Sequence, residues 1–550
     1  MAKKVFYDEI AREKVLGGAK ALYDAVKVTY GPKGRNVVIN KSYGGPTVTH
    51  DGVTVAEAID LEETDETLGQ KAGAELIKQA AKKLNKVAGD GTTTVTVLTY
   101  QILAKANKLI AAGHNPMELR RGIEQAGAKI VAKLDKLAEK VDTDPKKVAE
   151  VATISAGDAE IGRLIADTIS KIGKDGIVTV EAGQGLEMEA EVVEGFSYDK
   201  GYVSSFFATD MGRQEAIYEK PSILITDRKI SSVQDLLPFL EKMAAAGQKD
   251  LVLIADDLDG EALSVLVLNK LKGVFNTLAV KAPSFGDRRK EILEDIAILT
   301  GATVVSADRG LQLEEVGLEV LGSAKKVIAN KDETTIIEGA GQRAKVEGRI
   351  KLIKVQAAAE TSEYDQKQLD QRAAALQGKV AVIKVGGATE TEIDEKKFRV
   401  DDAVAATKAA LSEGIVAGGG VTLVNLASEL DAAPDSKKSL AVTSGAAVLK
   451  EALYEPFLII TDNAGINGQA LLAEVQKAKP GHGIDVMRPD QGLIDLKKAG
   501  IVDPVKVTKE AILNSVSIAA TAITMGALIV EIPEKDSGVP SMPGGMPGMY

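Results

Sequence analysis

The middle of the chain alternates short apolar runs with helical segments, and this order restricts the possible fold more than any other feature. Each run is rich in Val, Ile and Leu, as expected of strands buried on both faces. The predicted strands are 222–226, 251–254, 277–280 and 303–305, and the predicted helices are 233–245, 261–272 and 288–299. Strands that alternate with helices predict a parallel sheet covered on both faces, and hence an α/β domain.

Both ends of the chain are predicted to be helical instead. In the first third, apolar residues recur at helical spacing over 73–87 and over 98–110. A further helix is predicted to begin after Asn115, because this capping residue precedes Pro116 and Glu118. Beyond the α/β segment we expect a charged helix from 357 to about 376, a strand at 380–383 and helices from 401 onwards. The helical, α/β, helical order suggests that the two ends fold together and that the middle is inserted.

Length and composition restrict the class of protein. A chain of 550 residues is too long for one core, so two to four domains are expected. The absence of cysteine and the presence of only three histidines argue against disulfides and zinc sites. A net charge of -11 argues against a general nucleic-acid binder. The sequence has no apolar run of about 18 residues and no signal-peptide pattern at its start, so we expect a cytoplasmic protein.

The run Gly89-Asp90-Gly91-Thr92-Thr93-Thr94 joins two predicted helices and therefore lies at a helix N terminus. Unpaired N–H groups and the helix dipole attract anions there, and the glycines let a phosphate approach the backbone. Asp90 would repel a phosphate unless a cation lay between them, which implies Mg²⁺. A simple capped helix turn is an equally good reading of these residues alone.

Other turns have weaker signals of the same kind. The segment 29–36 is a Gly-rich turn with basic residues, Asp51 follows a short strand at 46–49, and Gly418 to Gly420 precede a helix. Asp401 and Asp402 are predicted to open a helix, where acidic residues are common simply as N-terminal charges. None of these segments matches the P-loop or the dinucleotide-binding fingerprint, so any phosphate site here is of another type.

Aromatic residues are scarce, at 4%, yet Tyr202, Phe206 and Phe207 occur close together. On pattern alone, a core cluster explains them better than an exposed binding surface. The abundance of Ala and Gly favours thin helices that pack closely. The tail from Asp536 to Tyr550, rich in Gly, Met and Pro, is predicted to be disordered.

Several unrelated segments, in this order, resemble the group I (GroEL-type) chaperonins. They are Val26–Val38 (VKVTYGPKGRNVV), Ala88–Thr94 (AGDGTTT), Lys281–Arg289 (KAPSFGDRR), Val380–Gly386 (VAVIKVG), Gly414–Gly420 (GIVAGGG) and Ile501–Val507 (IVDPVKV), with the Gly/Met tail after them. One such segment could arise by chance, but the ordered set covers essentially the whole chain.

The resemblance implies a multidomain, ring-forming architecture with three nested domains. A mostly α-helical equatorial domain would comprise residues 1–136 and 413–535, a small α/β intermediate domain 137–194 and 380–412, and an α/β apical domain 195–379. Subunits would form two stacked seven-membered rings closed by a small co-chaperonin cap. The implied activity is ATP hydrolysis coupled to the folding of unfolded client proteins, with ATP, Mg²⁺ and K⁺ as cofactors.

Site residues follow from the resemblance by position. Asp402 matches the acid that acts on the attacking water, with Asp51 assisting, and Asp90 matches the magnesium ligand. Because Asp402 lies far from Asp90 in sequence, hydrolysis would be gated by closure of a hinge. The nucleotide-binding positions would be Thr29, Tyr30, Gly31, Pro32, His50, Asp90, Gly91, Thr92, Thr93, Thr94, Gly419, Asp485, Val486, Met487 and Asp503. The apolar positions that would hold client proteins are Tyr202, Phe206, Phe207, Leu237, Leu240, Leu263, Val267 and Leu268.

Some residues differ from the family pattern. His50 replaces a usual Lys, so a fixed positive charge near the phosphates would be lost. Tyr30 replaces a usual Leu. Asp485-Val486-Met487 stands where many members have Asn-Ala-Ala, which affects the contacts expected on the adenine side. Lys379 replaces the second glycine of a usual Gly-Gly hinge, which predicts a slightly stiffer hinge.

Three further readings compete with the folding ATPase. A paralogue that assembles and holds proteins but turns ATP over poorly is favoured by His50 and disfavoured by the three retained acids. A group II chaperonin is disfavoured because the middle segment has no lid insertion. A small-molecule kinase would need an acceptor pocket, and the sequence gives no sign of one.

Overall fold

The computed structural model describes residues 2–40, 46–142, 144–174, 176–183, 185–210, 213–360, 362–430 and 439–532. The predicted disordered tail at 536–550 lies outside the described residues. Within the described part, no helix is both long and apolar enough to cross a membrane.

The described helices and strands follow, numbered in chain order. The helices are α1 (Asp8–Val26), α2 (Gly52–Ala58), α3 (Gln70–Ala88), α4 (Thr92–Ala111), α5 (Pro116–Leu137), α6 (Pro145–Ala156), α7 (Ala159–Ile172), α8 (Leu237–Ala245), α9 (Gly260–Leu271), α10 (Gly286–Thr300), α11 (Arg343–Ala359), α12 (Glu363–Leu376), α13 (Glu390–Glu413), α14 (Val421–Ser428), α15 (Leu440–Ala452), α16 (Glu455–Asn463), α17 (Gly468–Lys477) and α18 (Val505–Ala522). The strands are β1 (Lys3–Tyr7), β2 (Val37–Ile39), β3 (Thr47–Thr49), β4 (Ile177–Ala182), β5 (Glu189–Tyr198), β6 (Ala216–Glu219), β7 (Ser222–Thr226), β8 (Lys229–Ile230), β9 (Asp250–Ala255), β10 (Asp257–Leu258), β11 (Asn276–Lys281), β12 (Val304–Val305), β13 (Gly322–Ala329), β14 (Thr334–Gly339), β15 (Lys379–Val385), β16 (Ile415–Ala417), β17 (His482–Ile484), β18 (Leu493–Asp495), β19 (Val502–Pro504) and β20 (Ala527–Glu531).

The chain forms two compact units. The first comprises 1–170, 182–187 and 385–550, and the second comprises 171–181 and 188–384. The two ends therefore fold together and the middle is inserted, as the order of patterns suggested. The segments expected to form an intermediate domain do not separate as a third unit, and that domain remains a prediction from the family resemblance.

The first unit is a helical assembly with small residues at its closest helix contacts. A Cβ atom on Gly18 of α1 would lie 1.7 Å from the carbonyl oxygen of Gln70, and one on Gly73 of α3 would lie 1.9 Å from that of Val15. Only glycine fits such separations, so the backbones of α1 and α3 touch directly. The close packing predicted from the Ala- and Gly-rich composition is confirmed for this pair.

The second unit contains a ten-stranded sheet. Its strand order is β11-β9-β7-β13-β14-β5-β15-β4, with β12 paired to β7 and β6 paired to β13. The strands β7, β9, β11 and β12 are parallel, as predicted. However, β13 is antiparallel to β7 and β14, and β5 is antiparallel to β14 and β15, so the sheet is mixed. The predicted parallel arrangement therefore accounts for four of the ten strands of the sheet.

Two predicted helices begin or end elsewhere. The segment expected to be helical from 233 is a 3-10 turn at Val233–Asp235 followed by α8, which starts at Leu237 because Pro238 lacks an N–H donor and is tolerated only in the first turn. The charged helix expected from 357 to 376 is instead two helices, α11 and α12. The second starts after Ser362, whose side chain accepts a hydrogen bond from the amide of Asp365. Ser362 therefore caps a new helix, and the predicted single helix was wrong.

Candidate functional site

The first unit contains a cavity of about 980 Å³, at the upper end of the range for small-molecule sites. Its lining comes from turns and helix ends that are far apart in sequence. All the predicted nucleotide-binding and catalytic positions line it, namely Thr29, Tyr30, Gly31, Pro32, His50, Asp51, Asp90, Gly91, Thr92, Thr93, Thr94, Asp402, Gly419, Asp485, Val486, Met487 and Asp503. The fold thus brings together residues that the sequence linked only through the family resemblance.

One wall is the turn between α3 and α4. Gly89 and Gly91 both have positive φ, at 70° and 85°, which glycine adopts without strain. A side chain at either position would also clash, since a Cβ on Gly89 would lie 2.1 Å from Ala405 Cβ and one on Gly91 2.6 Å from Val507 Cγ1. Gly91 has no side chain to cap α4, so the first N–H groups of the helix are left to the cavity. The capping explanation therefore holds for Gly89, which ends α3 in the left-handed conformation, but α4 has no side-chain cap.

The Gly-rich turn after α1 forms the adjoining wall. Gly31 has a φ of 83°, and the amide of Gly34 donates to the carbonyl of Gly31 at 2.9 Å. The Asn463 side chain at the end of α16 donates to the carbonyls of Lys27 and Tyr30, at 3.0 and 2.9 Å. Sequence analysis missed Asn463, because one Asn in an apolar helix carries no local signal. It fixes the shape of the turn from a distant part of the chain.

Three carboxyl groups that line the cavity, those of Asp51, Asp90 and Asp402, repel one another. Asp90 accepts hydrogen bonds from the amide of Gly91 and from the Ser155 hydroxyl, the latter at 2.9 Å. Burial raises the pKa of Asp90 despite these bonds, and the nearby charge of Asp51 adds to the rise. Burial, followed by the charges of Asp51 and Asp90, raises the pKa of Asp402 well above its usual range. The three acids are close enough to interact, and a cation among them would relieve the repulsion.

Asp402 reaches this cluster from the middle of α13, not from a helix start. The helix begins at Glu390, with Thr389 as its cap. The interpretation of Asp401 and Asp402 as N-terminal helix charges is therefore wrong. Ala405, on the same helix, packs directly over Gly89, which explains why Asp402 lies near Asp90. Glu395, Arg399 and Asp402 recur at helical spacing and all line the cavity.

Asp51 and His50 follow β3. Asp51 caps α2, accepting hydrogen bonds from the amides of Val53 and Thr54 at 3.1 and 2.8 Å. Burial and then the charge of Arg399 lower the pKa of His50, although Glu395 and Asp51 oppose the shift. A lowered pKa leaves His50 mostly neutral at pH 7. The fixed positive charge expected at this position is therefore missing from the cavity.

The lining of the cavity also includes Asp485, Met487, Arg488 and Asp503. The Asp485 carboxylate accepts from the amide of Met487 at 2.9 Å and pairs with Arg488 at 3.1 Å. Burial, with the charge of Asp90, raises the pKa of Asp503 to about 7. Asp485 is thus already engaged within the protein, whereas Asp503 lacks a cationic partner among the groups that shift it.

The described residues contain no preformed group of three or more acidic or histidine side chains that could hold a metal. Mg²⁺ is usually held by one or two carboxylates together with substrate phosphates. Asp90, beside the open N terminus of α4, fits that arrangement. The donor set therefore suits a metal that enters with a phosphorylated ligand.

The eight apolar positions expected to hold clients lie in the second unit and differ in exposure. Phe206, Leu237 and Leu268 are exposed, by 56%, 44% and 50%. Leu263 and Val267 are partly buried against the core. Tyr202, Phe207 and Leu240 are buried in that core, and so add no apolar surface in this conformation. The core explanation for the aromatic cluster therefore holds for two of its three residues.

Two comparisons relate the chain to known proteins. Residues 22–533 match the model of the TCP-1/cpn60 chaperonin family. Among solved structures, the fold is similar to that of the chaperonin gp146 from the bacteriophage EL 2 (Pseudomonas aeruginosa), determined in the presence of ATP-BeFx. The TM-score is 0.67 at 21% sequence identity, over 96% of this chain and 99% of the phage protein. The chain belongs to the TCP-1/cpn60 chaperonin family.

Proposed function

We propose that this chaperonin hydrolyses ATP in the cavity of the first unit and uses that cycle to capture and release non-native proteins on the second unit. The observation that carries the proposal is that Asp51, Asp90 and Asp402 line the same cavity as the uncapped N terminus of α4. Acids and an anion site in one cavity suit a metal-dependent reaction at a phosphate.

Phosphate oxygens would lie at the N terminus of α4. Its free N–H groups and the hydroxyls of Thr92, Thr93 and Thr94 are donors for them. Mg²⁺, held by Asp90 and the phosphates, would neutralise charge on the transferred group. The phage chaperonin of similar fold was crystallised with ATP-BeFx, which is consistent with a nucleotide in this cavity.

Asp402 would accept a proton from the attacking water, with Asp51 helping to orient that water. A carboxyl group with a raised pKa is better matched to accepting a proton near neutral pH than an ordinary one. Asp402 is carried by α13, so a movement of that helix would control its approach to the phosphate. We therefore include in the proposal that a hinge movement of α13 gates hydrolysis.

The second unit would hold clients on Phe206, Leu237 and Leu268, which offer exposed apolar surface. Such surface binds non-polar segments according to area, at about 25 cal/mol per Å², with little dependence on sequence.

We also propose the oligomeric state and location that the resemblance to GroEL-type chaperonins implies. These are two stacked seven-membered rings, a co-chaperonin cap, K⁺ as an accessory ion and a cytoplasmic location.

The test combines turnover, size and capture. Purified full-length protein is assayed for Mg²⁺-dependent ATP hydrolysis, sized by light scattering, and tested for suppression of aggregation of a chemically denatured protein. The proposal predicts a large ring that hydrolyses ATP and releases the captured protein when ATP is added. Asp90→Ala should abolish hydrolysis and release but leave capture intact. A small species with neither activity would contradict the proposal.

A holdase with weak turnover is the second candidate, and the state of His50 favours it. A neutral side chain stands where the family usually has a fixed charge, so phosphate binding would lose one cation. In that case wild-type protein captures clients with little hydrolysis, and His50→Lys raises hydrolysis. Equal rates for wild type and His50→Lys would remove this candidate.

A further inference from the structure

Lys270 lies near the end of α9, in the second unit, and its ammonium group contacts main-chain carbonyls. The Nζ atom donates to the carbonyl oxygens of Phe207 and, at 3.3 Å, of Ala208. Phe207 is the last residue of the 3-10 turn Ser205–Phe207, and Ala208 follows it. A charged donor shared between two carbonyls makes a stronger contact than a neutral one.

Two aromatic rings complete the surroundings of this ammonium group. Nζ lies 5.3 Å from the ring centroid of Tyr218 and 5.9 Å from that of Phe207, within the range of cation–π attraction. Among the described residues, no carboxylate forms an ion pair with Lys270. Burial lowers the pKa of Lys270 to about 8, which agrees with an amine held by carbonyls and rings in place of an acid.

The contact matters because adjacent residues of the turn point in opposite directions. Phe206 is 56% exposed, whereas Phe207 is fully buried in the core of the second unit. The hydrogen bonds within the turn are short-range, such as those from the amides of Phe207 and Ala208 to the carbonyls of Ser204 and Ser205. The buried Phe207 ring and the bond from the amide of Val203 to the carbonyl of Ala279 attach this part of the chain to the core. Lys270 adds a direct hydrogen-bonded contact between the carbonyls of the turn and α9.

We propose that Lys270 is a positioning residue that ties this turn to α9, so that Phe206 is presented to solvent while Phe207 stays in the core. Its importance for capturing clients rests on the proposed function, but the tie itself can be measured without a client. The family resemblance does not mark this position, and a lysine in the last turn of α9 is favoured by the helix dipole, so the sequence alone gives no sign of the contact with the turn.

The test compares three variants of the full chain. Lys270→Met keeps the length of the buried stem and removes the charge, Lys270→Arg keeps a charged donor, and Lys272→Met removes an exposed charge two residues away. Hydrogen–deuterium exchange of the peptide containing residues 204–210 reports the tie, and capture of a denatured protein reports its consequence. Lys270→Gln replaces the Met variant if that variant does not fold.

In Lys270→Met we expect exchange in this peptide to rise roughly tenfold and capture to weaken several-fold. Lys270→Arg should restore both, and Lys272→Met should change neither. Unchanged exchange in Lys270→Met would overturn the proposal. Faster exchange with undiminished capture would overturn the link to Phe206. If the wild type captures nothing, the proposed function fails, and the exchange data alone then decide whether Lys270 positions the turn.

Discussion

The hydroxyl of Tyr30 lies 2.6 Å from Oγ1 of Thr94, and this hydrogen bond joins the two turns that would surround a phosphate. Burial raises the pKa of Tyr30, so the phenol stays protonated and can donate throughout the neutral range. The bond fixes the Thr94 hydroxyl beside the N terminus of α4. A leucine, usual in the family at this position, could not form it.

Tyr30→Phe removes only that hydroxyl. We expect the dissociation constant for an ATP analogue to rise about 2- to 10-fold, because a typical hydrogen bond contributes about 0.5–1.5 kcal/mol. Calorimetry with the Mg²⁺ complex measures it, and Tyr7→Phe, at an exposed residue, is the matched control. An unchanged constant in Tyr30→Phe would mean that the bond does not organise the site.

Mg²⁺ should stabilise the protein when an ATP analogue is bound, because the proposed site needs phosphate oxygens to complete the ligands of the ion. The ion would also relieve the charge repulsion that adds to burial in raising the pKa values of Asp90 and Asp402. In the presence of the analogue, the thermal midpoint should therefore rise with millimolar Mg²⁺ in the wild type and stay constant in Asp90→Asn. Asp308→Asn, which alters an exposed acid paired with Lys290, should respond like the wild type. A shift that survives in Asp90→Asn would place the ion elsewhere.

Asp503 predicts a pH dependence of stability. Its pKa is raised to about 7 in the folded state, against about 3.9 in an unfolded chain. Between these values the folded protein binds more protons than the unfolded one, so its stability falls as pH rises through this window. The difference between the two pKa values limits the change in unfolding free energy caused by this group to about 4 kcal/mol. Asp503→Asn should thus stabilise the protein more at pH 8 than at pH 5, which thermal midpoints at the two pH values would measure. Equal gains at both pH values would refute the raised pKa of Asp503.

A buried acid in the second unit should matter for stability alone. The Asp295 carboxylate is 1% exposed and pairs with Arg349 at 2.7 Å and Arg372 at 2.8 Å, linking α10 to α11 and α12. Removing it deprives two largely buried arginines of their shared acid; because Arg372 keeps its pair with Glu291, the cost should lie toward the lower end of about 3–5 kcal/mol. Asp295→Ala should therefore lower the urea midpoint measured by circular dichroism, whereas Asp308→Ala, at an exposed acid, should leave that midpoint nearly unchanged. A small effect of Asp295→Ala would show that the two arginines are solvated.

The sequence predicted the parallel strands and the turns of the site well, because both depend on local signals. Gly89 and Gly91 need positive φ, and Asn115 caps α5 through the amides of Met117 and Glu118. The contacts that complete the site depend on chain segments far apart in sequence. The hydrogen bonds from Asn463 to the turn after α1, and the contact of Ala405 with Gly89, result from helix packing that no local pattern encodes.

Exposure was the least predictable property. An apolar residue with helical spacing fits a core and a binding face equally well, so the pattern could not distinguish Leu237 from Leu240. In the structure Leu237 is 44% exposed and Leu240 5%. Helix limits failed where a single residue decides, as at Pro238 and Ser362.

The most direct test of the central claim is single-turnover ATP hydrolysis with Mg²⁺ by Asp402→Asn and Asp401→Asn. Each substitution replaces a carboxylate by an amide of the same shape. The two residues are neighbours in the middle of α13, but of the two only Asp402 lines the cavity. We expect Asp402→Asn to bind nucleotide at least as tightly as the wild type, because a repelling charge is removed, and to hydrolyse it about 100-fold or more slowly. Asp401→Asn should hydrolyse at close to the wild-type rate. Equal rates in both variants, or a loss confined to Asp401→Asn, would contradict the assignment of Asp402 as the acid that acts on water.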